Sequence, residues 1–239
     1  MALKVSTYLK KFPQSRNREL RIYEHFSKVG ISRSGRLFIR DLCESFEICG
    51  PHGPHQCLVQ PAMHMSVLDM MKSNPEPLSP PLLKLVLKRL LTTLDSLHTK
   101  ANIIHTGKVT CPIPCGVVSN SDILDLKADN LMLSIEDESM LEEFEKAELE
   151  NPSPRKIIDG TRSIYKSRNL PKPKNGKWGL PFLCDFGEAR IGNIQVTSPF
   201  VQPQIYRAPE VTFEMHWGPP VDIWNVAALV NILLPCIAI

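Results

Sequence analysis

The sequence predicts an α+β fold of two lobes, a small lobe rich in β-strands followed by a larger, mainly helical one. Three observations support this prediction. Residues 1–60 contain short alternating segments, residues 81–99 repeat leucine and valine at helical spacing, and the Val-Gln-Pro-Ala stretch at residues 59–62 has the composition of a hinge. We therefore place the small lobe at residues 1–60 and the large lobe at residues 61–239.

The composition excludes several functional classes. A net charge of +3 over 239 residues gives no reason to expect direct nucleic-acid binding. The seven cysteines lack the paired spacing of a zinc site, which favours free thiols in a reducing compartment. Met1 is not followed by a targeting signal, and the apolar residues 226–239 are too few for a membrane span. We expect an intracellular monomer, cytoplasmic or nuclear, without a membrane contact.

The small lobe begins with a strand and a helix. Ala2-Leu3-Lys4-Val5 alternates like a half-buried strand, and residues 17–27 show the spacing of a helix with one buried side. On such a strand Lys4 is ordinarily a solvated lysine. Two carboxylates on the following helix, Glu19 and Glu24, could each reach back to it. We favour Glu19, because its neighbours form the buried side of the helix.

The elements that follow are weakly indicated, with one exception. Residues 37–47 and 56–59 are predicted strands on either side of a turn rich in glycine and proline, and residues 65–72 suit a short helix. Residues 81–99 form the clearest helix of the chain, because their apolar residues recur at helical spacing and Pro80-Pro81 suits a helix start.

Two short motifs provide the residue types of a phosphoryl-transfer site. They are Asp125-Leu126-Lys127-Ala128-Asp129-Asn130 and Asp185-Phe186-Gly187. Phosphoryl transfer needs positioning and charge compensation more than covalent help, and carboxylate, ammonium and amide groups at this spacing can supply both. The first motif alone arises by chance in many chains. The order of the three motifs along the chain, with Asp185-Phe186-Gly187 and then Ala208-Pro209-Glu210 after the first motif, makes a chance match unlikely.

An eighteen-residue segment, residues 107–124, interrupts the approach to the first motif. Its removal would join His105-Thr106 directly to Asp125. Codons for its first residues can contain a GGTAA-type splice donor, and codons for residues 121–125 can contain a branch site and a TTAG acceptor, whose excision restores an Asp codon. We interpret residues 107–124 as a retained intron, and the alternative is a genuine loop insertion.

A second, longer insertion separates the two motifs. Residues 136–150 predict an acidic helix with one apolar side, and residues 155–178 are basic and rich in proline, as in an extended surface connection. The apolar side of that helix would consist of Met140, Leu141, Phe144 and Leu149. Residues 179–184 predict the strand that delivers Asp185.

Two polar residues are predicted to support the site from within the core. His105 follows an Ile-Ile pair, and we expect a buried histidine that supports the loop containing the first motif. Asp222 begins an apolar helix, where a buried carboxylate needs hydrogen-bond donors. We expect it to accept hydrogen bonds from the backbone of that loop.

The chain resembles the eukaryotic protein kinases, most closely the SR-protein-kinase-like group as found in fungi. The matching segments are ALKV, RELRIY, IIHT, DLKADN, CDFGEA, IYRAPEV and VDIWNV. The acidic insertion at residues 134–178 is also similar to that of this group. The resemblance implies a two-lobed kinase fold and a serine/threonine kinase that uses ATP and Mg²⁺. It further implies a protein substrate, which is rich in Arg-Ser for the best-known members.

Each motif residue then has an expected role. Asp125 would accept the proton of the substrate hydroxyl, and Lys127 would offset charge on the moving phosphoryl group. Lys4, fixed by Glu19, would hold the α- and β-phosphates of ATP. A further pair supplies oxygen ligands of the kind that Mg²⁺ prefers. That pair is Asn130 and Asp185.

The departures from the family pattern concern both ends and the loop. No glycine-rich loop precedes Lys4, and the helices expected after residue 226 are missing, so we expect a fold that is incomplete at both ends with impaired activity. Thr106 stands where most kinases have Arg, which implies activity without loop phosphorylation. The alternative function is a catalytically inactive kinase remnant that acts as a binding module.

Overall fold

A computed structural model describes most of the chain and confirms the α+β class. The described residues are 1–6, 17–31, 36–50, 53–73, 78–107, 129–159, 162–174, 176, 178–195, 201–202 and 207–233. Most of the 107–124 segment, together with Asp125 and Lys127, lies outside these ranges. Within them, helices and short antiparallel strands are mixed along the chain.

The elements of the described part are numbered here in chain order. The strands are β1 Ala2–Val5, β2 Glu44–Gly50, β3 Gly53–Gln60, β4 Met63–Ser66, β5 Ile103–Ile104, β6 Leu131–Ser134, β7 Arg155–Asp159, β8 Arg162–Tyr165, β9 Pro181–Leu183 and β10 Arg190–Ile191. The helices are α1 Arg18–Val29, α2 Val67–Ser73, α3 Pro80–Ser96, α4 Ser139–Glu150, α5 Pro209–Thr212 and α6 Pro220–Leu233, with a π-helical turn at Leu97–Ala101 after α3.

The first sheet has the order β1-β3-β2 and is antiparallel, with Lys4 opposite Leu58. The predicted strand at residues 37–47 is wrong at its start, because β2 begins only at Glu44. Its earlier part lies against a different strand. The Leu183 amide donates to Phe38 O at 2.8 Å and the Arg40 amide donates to Leu183 O at 3.0 Å, so these residues belong beside β9.

The second sheet has the order β4-β6-β9 and places Asn130, the last residue of the first motif, and the Asp185 motif at one end of paired strands. Leu131 of β6 lies opposite Leu183 of β9, so Asn130 precedes one strand where Asp185 follows the other. Strand β4 was not predicted from the sequence. It follows Pro61 and Ala62, which connect the two sheets at the predicted hinge, while the division into lobes at residue 60 stays a prediction.

A hydrophobic core holds α1, α3 and α6 against the second sheet. Its fully buried members include Phe26 of α1, Val86 of α3, Leu133 of β6 and Leu229 of α6. The helix predicted at residues 81–99 is confirmed as α3, with the π-helical turn at its end. Among the described helices, none combines the length and apolar character needed to cross a membrane.

The insertion between the motifs is more structured than its sequence predicts. Residues 155–178 contain the strands β7 and β8, which pair antiparallel with Arg155 opposite Tyr165. The apolar side predicted for α4 is buried only near its start. Met140 is 3% exposed, whereas Leu149 is 77% exposed near the other end, so the apolar side of α4 extends beyond its buried part.

Candidate active site

Three charged side chains that are distant in sequence meet at the end of β1. The Lys4 ammonium lies 2.6 Å from Glu19 Oε2 and 3.0 Å from Asp185 Oδ1. Glu19 is the most buried, with its side chain 7% exposed, against 44% for Lys4 and 29% for Asp185. Of the two carboxylates considered for Lys4, Glu19 makes the contact and Glu24 is exposed. The structure therefore brings together three of the predicted site residues.

The electrostatics of this cluster keep Lys4 cationic. Burial alone would lower the pKa of Lys4, but the carboxylates of Glu19 and Asp185 outweigh it, and the net pKa is raised above its ordinary value. The carboxylate of Asp185, 29% exposed, is an oxygen ligand of the kind that a divalent metal takes.

Asp185 is held by an unusual backbone and by the buried ring that follows it. Its φ is +60°, in the left-handed region that side chains rarely adopt, and its Oδ1 accepts a 3.4 Å hydrogen bond from the Gly187 amide. Phe186 is fully buried. Its ring packs edge-to-face on Tyr23 at 5.9 Å, on Phe26 at 5.5 Å and on His105 at 5.1 Å.

Asn130 is fixed beside Asp185 through the backbone of β9. The Cys184 amide donates a 2.8 Å hydrogen bond to Asn130 O, so the two motif residues are neighbours across the strand ends. Their amide and carboxylate oxygens are hard ligands, and Mg²⁺ binds in kinase sites through one or two such ligands plus phosphates. The donor chemistry of this pair fits magnesium. The described residues contain no cluster of three or more His, Cys, Asp or Glu able to hold a metal ion.

A buried carboxylate fixes the backbone just before the catalytic motif. Asp222 is fully buried, and its oxygens accept hydrogen bonds from the His105 and Thr106 amides, both at 2.8 Å. His105 is 2% exposed, with Nε2 3.2 Å from Cys184 O. The predictions of a core histidine and of a backbone-binding Asp222 are confirmed. The α6 helix therefore fixes the backbone of His105 and Thr106 through Asp222.

The two residues with the most direct predicted roles cannot be placed. Asp125 and Lys127 lie outside the described residues, so their roles as proton acceptor and as charge-compensating cation stay predictions. The residues on both sides are described, with Thr106 buried on one side and Asn130 8% exposed on the other.

The sequence did not predict the contacts of three polar residues, Arg18, Glu188 and Gln202. Arg18 Nη1 lies 3.1 Å and 3.0 Å from the two carboxylate oxygens of Glu188. Gln202 is fully buried with φ +63°, donates to Val221 O at 2.8 Å and accepts from the Ala208 amide at 2.9 Å. No local pattern could reveal the pair of Arg18 and Glu188, because the two residues are 170 positions apart in the sequence. Taken singly, each would be read as a solvated charge, since charged residues are mostly exposed.

No protein-family model matches the chain, but individual proteins do. A serine/threonine protein kinase of Aspergillus fumigatus is 38% identical over 216 residues, which is 90% of this chain and 47% of the relative. The serine/threonine-protein kinase SRPK of Physarum polycephalum is 29% identical over 197 residues, 79% of this chain and 43% of that protein.

A human protein extends the same similarity. SRSF protein kinase 3 of Homo sapiens is 26% identical over 181 residues, covering 73% of this chain and 29% of the relative. The chain spans about half the length of the fungal relative, and the similarity covers nine tenths of this sequence. Together with the Lys4, Glu19 and Asp185 cluster, this similarity shows that the chain belongs to the serine/threonine protein kinase family, in its SR-protein-kinase-like group.

Proposed function

We propose that the chain is built for ATP-dependent phosphoryl transfer to a serine or threonine hydroxyl of a protein. One observation supports this most directly. Lys4 lies within 3.0 Å of both Glu19 and Asp185, although 181 residues separate it from Asp185. A structural salt bridge needs only one partner. A lysine shared by a buried and a half-exposed carboxylate suits a site where phosphates and a metal meet.

The residues of the chain would divide the work as follows. Lys4, held by Glu19, binds phosphate oxygens, while Asn130 and Asp185 hold magnesium. When bound, magnesium ATP supplies the phosphoryl group and neutralises its charge. Asp125 orients the attacking hydroxyl and accepts its proton, and Lys127 offsets the charge that develops on the phosphoryl oxygens.

The proposed substrate is a protein segment rich in Arg-Ser pairs. Support comes from two relatives whose names refer to such activity, the SRPK of Physarum polycephalum and human SRSF protein kinase 3. We further propose that the chain acts as an intracellular monomer in the cytoplasm or nucleus, without direct contact to nucleic acid.

The segment at residues 107–124 provides the most informative experiment. We propose that it impairs transfer, because it separates the fixed Thr106 from Asp125, and a 1 Å error in position can cost about a hundredfold in rate. The purified chain and a variant without residues 107–124 are compared with Mg-ATP and an Arg-Ser peptide. We expect the deletion variant to transfer phosphate at least about a hundredfold faster than the parent. A turnover of about 1 per second for the parent, in the normal kinase range, would overturn the proposed impairment. Asp125→Asn in the deletion variant is the control that should abolish transfer.

The outcomes separate the two candidate functions. If neither protein transfers phosphate but both bind Mg-ADP, the kinase proposal fails and a non-catalytic binding module is favoured, as the long interruption before Asp125 suggests. Equal rates for the two proteins would show that residues 107–124 do no harm. Sequencing transcripts across this junction would decide between a retained intron and a true insertion, because only an intron yields a spliced product.

A further inference from the structure

One carboxylate outside the motifs receives two guanidinium groups. Arg18 Nη1 lies 3.1 Å and 3.0 Å from the Glu188 oxygens, and Arg190 Nη2 lies 3.2 Å from Glu188 Oε2. The three side chains are 39%, 20% and 30% exposed for Arg18, Arg190 and Glu188 respectively. A carboxylate between two arginines forms charge-assisted hydrogen bonds, and such a network contributes more to stability than an isolated surface pair does.

The backbone of Glu188 adds contacts to those of its side chain, and we call the contacts of Glu188 with Arg18, Arg190 and Thr106 the junction. Its carbonyl accepts a 2.8 Å hydrogen bond from Thr106 Oγ1 and a 2.6 Å hydrogen bond from Arg190 Nη1. Thr106 is fully buried and has φ +63°, a conformation that surrounding contacts must hold in place. Glu188 therefore contacts α1 through its side chain and the approach to the catalytic motif through its backbone.

The position of Glu188 in the chain makes these contacts relevant to the site. Arg18 directly precedes Glu19, the partner of Lys4, and Glu188 follows Asp185 by three residues. Arg18 is the first residue of α1, a 12-residue helix, and a carboxylate near a helix start is favoured by the unpaired amides there. A shift of α1 away from the site would have to break this junction before it separated Glu19 from Lys4.

We propose that Glu188 is a positioning residue that locks α1 to the Asp185 segment and to Thr106, so that Lys4, Glu19 and Asp185 stay assembled. This inference rests on the proposed function for its effect on rate. Its structural part, the restraint of α1, can be measured without any turnover.

The experiment compares Glu188→Gln, Arg18→Gln and the double variant in the 239-residue chain. Glu188→Gln keeps the shape and removes the charge. We expect amide hydrogen exchange in residues 18–29 to become about fivefold faster, since a partly exposed ion-pair network stabilises its elements modestly. In the form without residues 107–124, we expect kcat to fall about 10- to 100-fold, with KM for the Arg-Ser peptide within about twofold, because misplacement acts on the reacting groups.

A double-mutant cycle and a matched control make the test decisive. If the two residues act as one unit, the double variant is no worse than Glu188→Gln alone. Glu148→Gln removes a carboxylate with the same kind of arginine partner in the insertion, Arg168 at 2.6 Å, and should leave kcat and α1 exchange unchanged.

Each outcome has a separate meaning. Unchanged α1 exchange in Glu188→Gln overturns the positioning role, whatever the rate. Losses from the two single variants that multiply in the double variant also overturn it. If the parent and deletion forms transfer no phosphate, the proposed function fails, and the exchange measurement alone still decides whether Glu188 restrains α1.

Discussion

Two regions of this molecule contain ion pairs of similar length but of different kind. At the end of β1, Lys4 is shared between Glu19 and Asp185, and the three residues come from distant parts of the chain. In the insertion at residues 134–178, Arg168 contacts Glu148 and Lys174 contacts Glu143, so these partners come from one continuous part of the chain. The first cluster has a carboxylate that is 7% exposed, whereas the carboxylates of the insertion are 38% exposed.

The difference shows that distance alone does not identify a functional ion pair. Exposed pairs gain little free energy, because water competes for both charges and long side chains lose entropy. A buried carboxylate such as Glu19 must be paired, and its partner is thereby fixed in place. The Lys4 cluster therefore positions groups, while the pairs of the insertion fasten one surface segment to another.

The largest expected effect comes from removing the shared cation. Lys4→Met should lower phosphoryl transfer by about 100- to 1,000-fold, because one preorganised charge at the reacting phosphates is lost. The control is Lys146→Met, which breaks the exposed contact to Glu150 in α4 and should leave the rate unchanged. Steady-state kinetics of both variants in the form without residues 107–124 checks this. A similar rate for both would remove the distinction between the two regions.

A smaller effect distinguishes the two carboxylates of α1. Glu19→Gln keeps a hydrogen-bonding group beside Lys4 but removes the charge, and we expect kcat to fall by about tenfold or more through loss of positioning. Glu24→Gln, on the exposed side of the same helix, should stay within about twofold of the parent. A larger loss for Glu24→Gln than for Glu19→Gln would reassign the partner of Lys4 during turnover.

The dependence of stability on alkaline pH tests whether the Cys184 thiol, which precedes Asp185, is buried. Burial raises the pKa of the Cys184 thiol from its ordinary value of 9.0 to about 12. Because the folded chain keeps a proton that the unfolded chain loses, this contribution to stability is complete below pH 9 and falls as the pH rises towards 12. At pH 10 we expect a loss on the order of 1 kcal/mol. Urea unfolding at pH 8 and pH 10 should show that much less loss for Cys184→Ala, and equal losses would argue against a buried thiol.

Acidic pH should have the smallest effect, through the insertion. Hydrogen bonds from the Ser153 backbone and hydroxyl, aided by Arg168, hold the pKa of Glu148 below its ordinary value of 4.5. The contribution of this carboxylate is therefore present above pH 4.5 and is lost as the pH falls through the lowered pKa. We expect the Tm of Glu148→Gln to be only slightly below that of the parent at pH 7, since the pair is solvent-exposed, and the difference to disappear at acidic pH. A large drop in Tm at pH 7 would show that the insertion pairs also stabilise the fold.

Much of the fold could be predicted because local patterns determine it. The helix at residues 17–27 and the long helix at residues 81–99 follow from residue spacing, which fixes one buried side. The strand at Ala2–Val5 is also present, but its expected buried side is not, since Leu3 and Val5 are exposed. The prediction was wrong where a segment changes its partner. Residues 37–43 look like a strand of the first sheet but lie partly beside β9, and β4 has only four residues and continues directly into α2.

The sequence by itself supplied the residue types for the proposed chemistry, since Asp125, Lys127, Asn130 and Asp185 follow the order of the family motifs. The resemblance suggested Lys4 as the phosphate-binding lysine, and the helix pattern favoured Glu19 over Glu24 as its partner. Only the tertiary structure placed Glu19 at 2.6 Å from Lys4, buried Asp222 beneath the Thr106 amide and joined Glu188 to Arg18. Residue types are local properties of a chain. Contacts across 15 to 181 residues depend on how every element packs, which no spacing within a motif records.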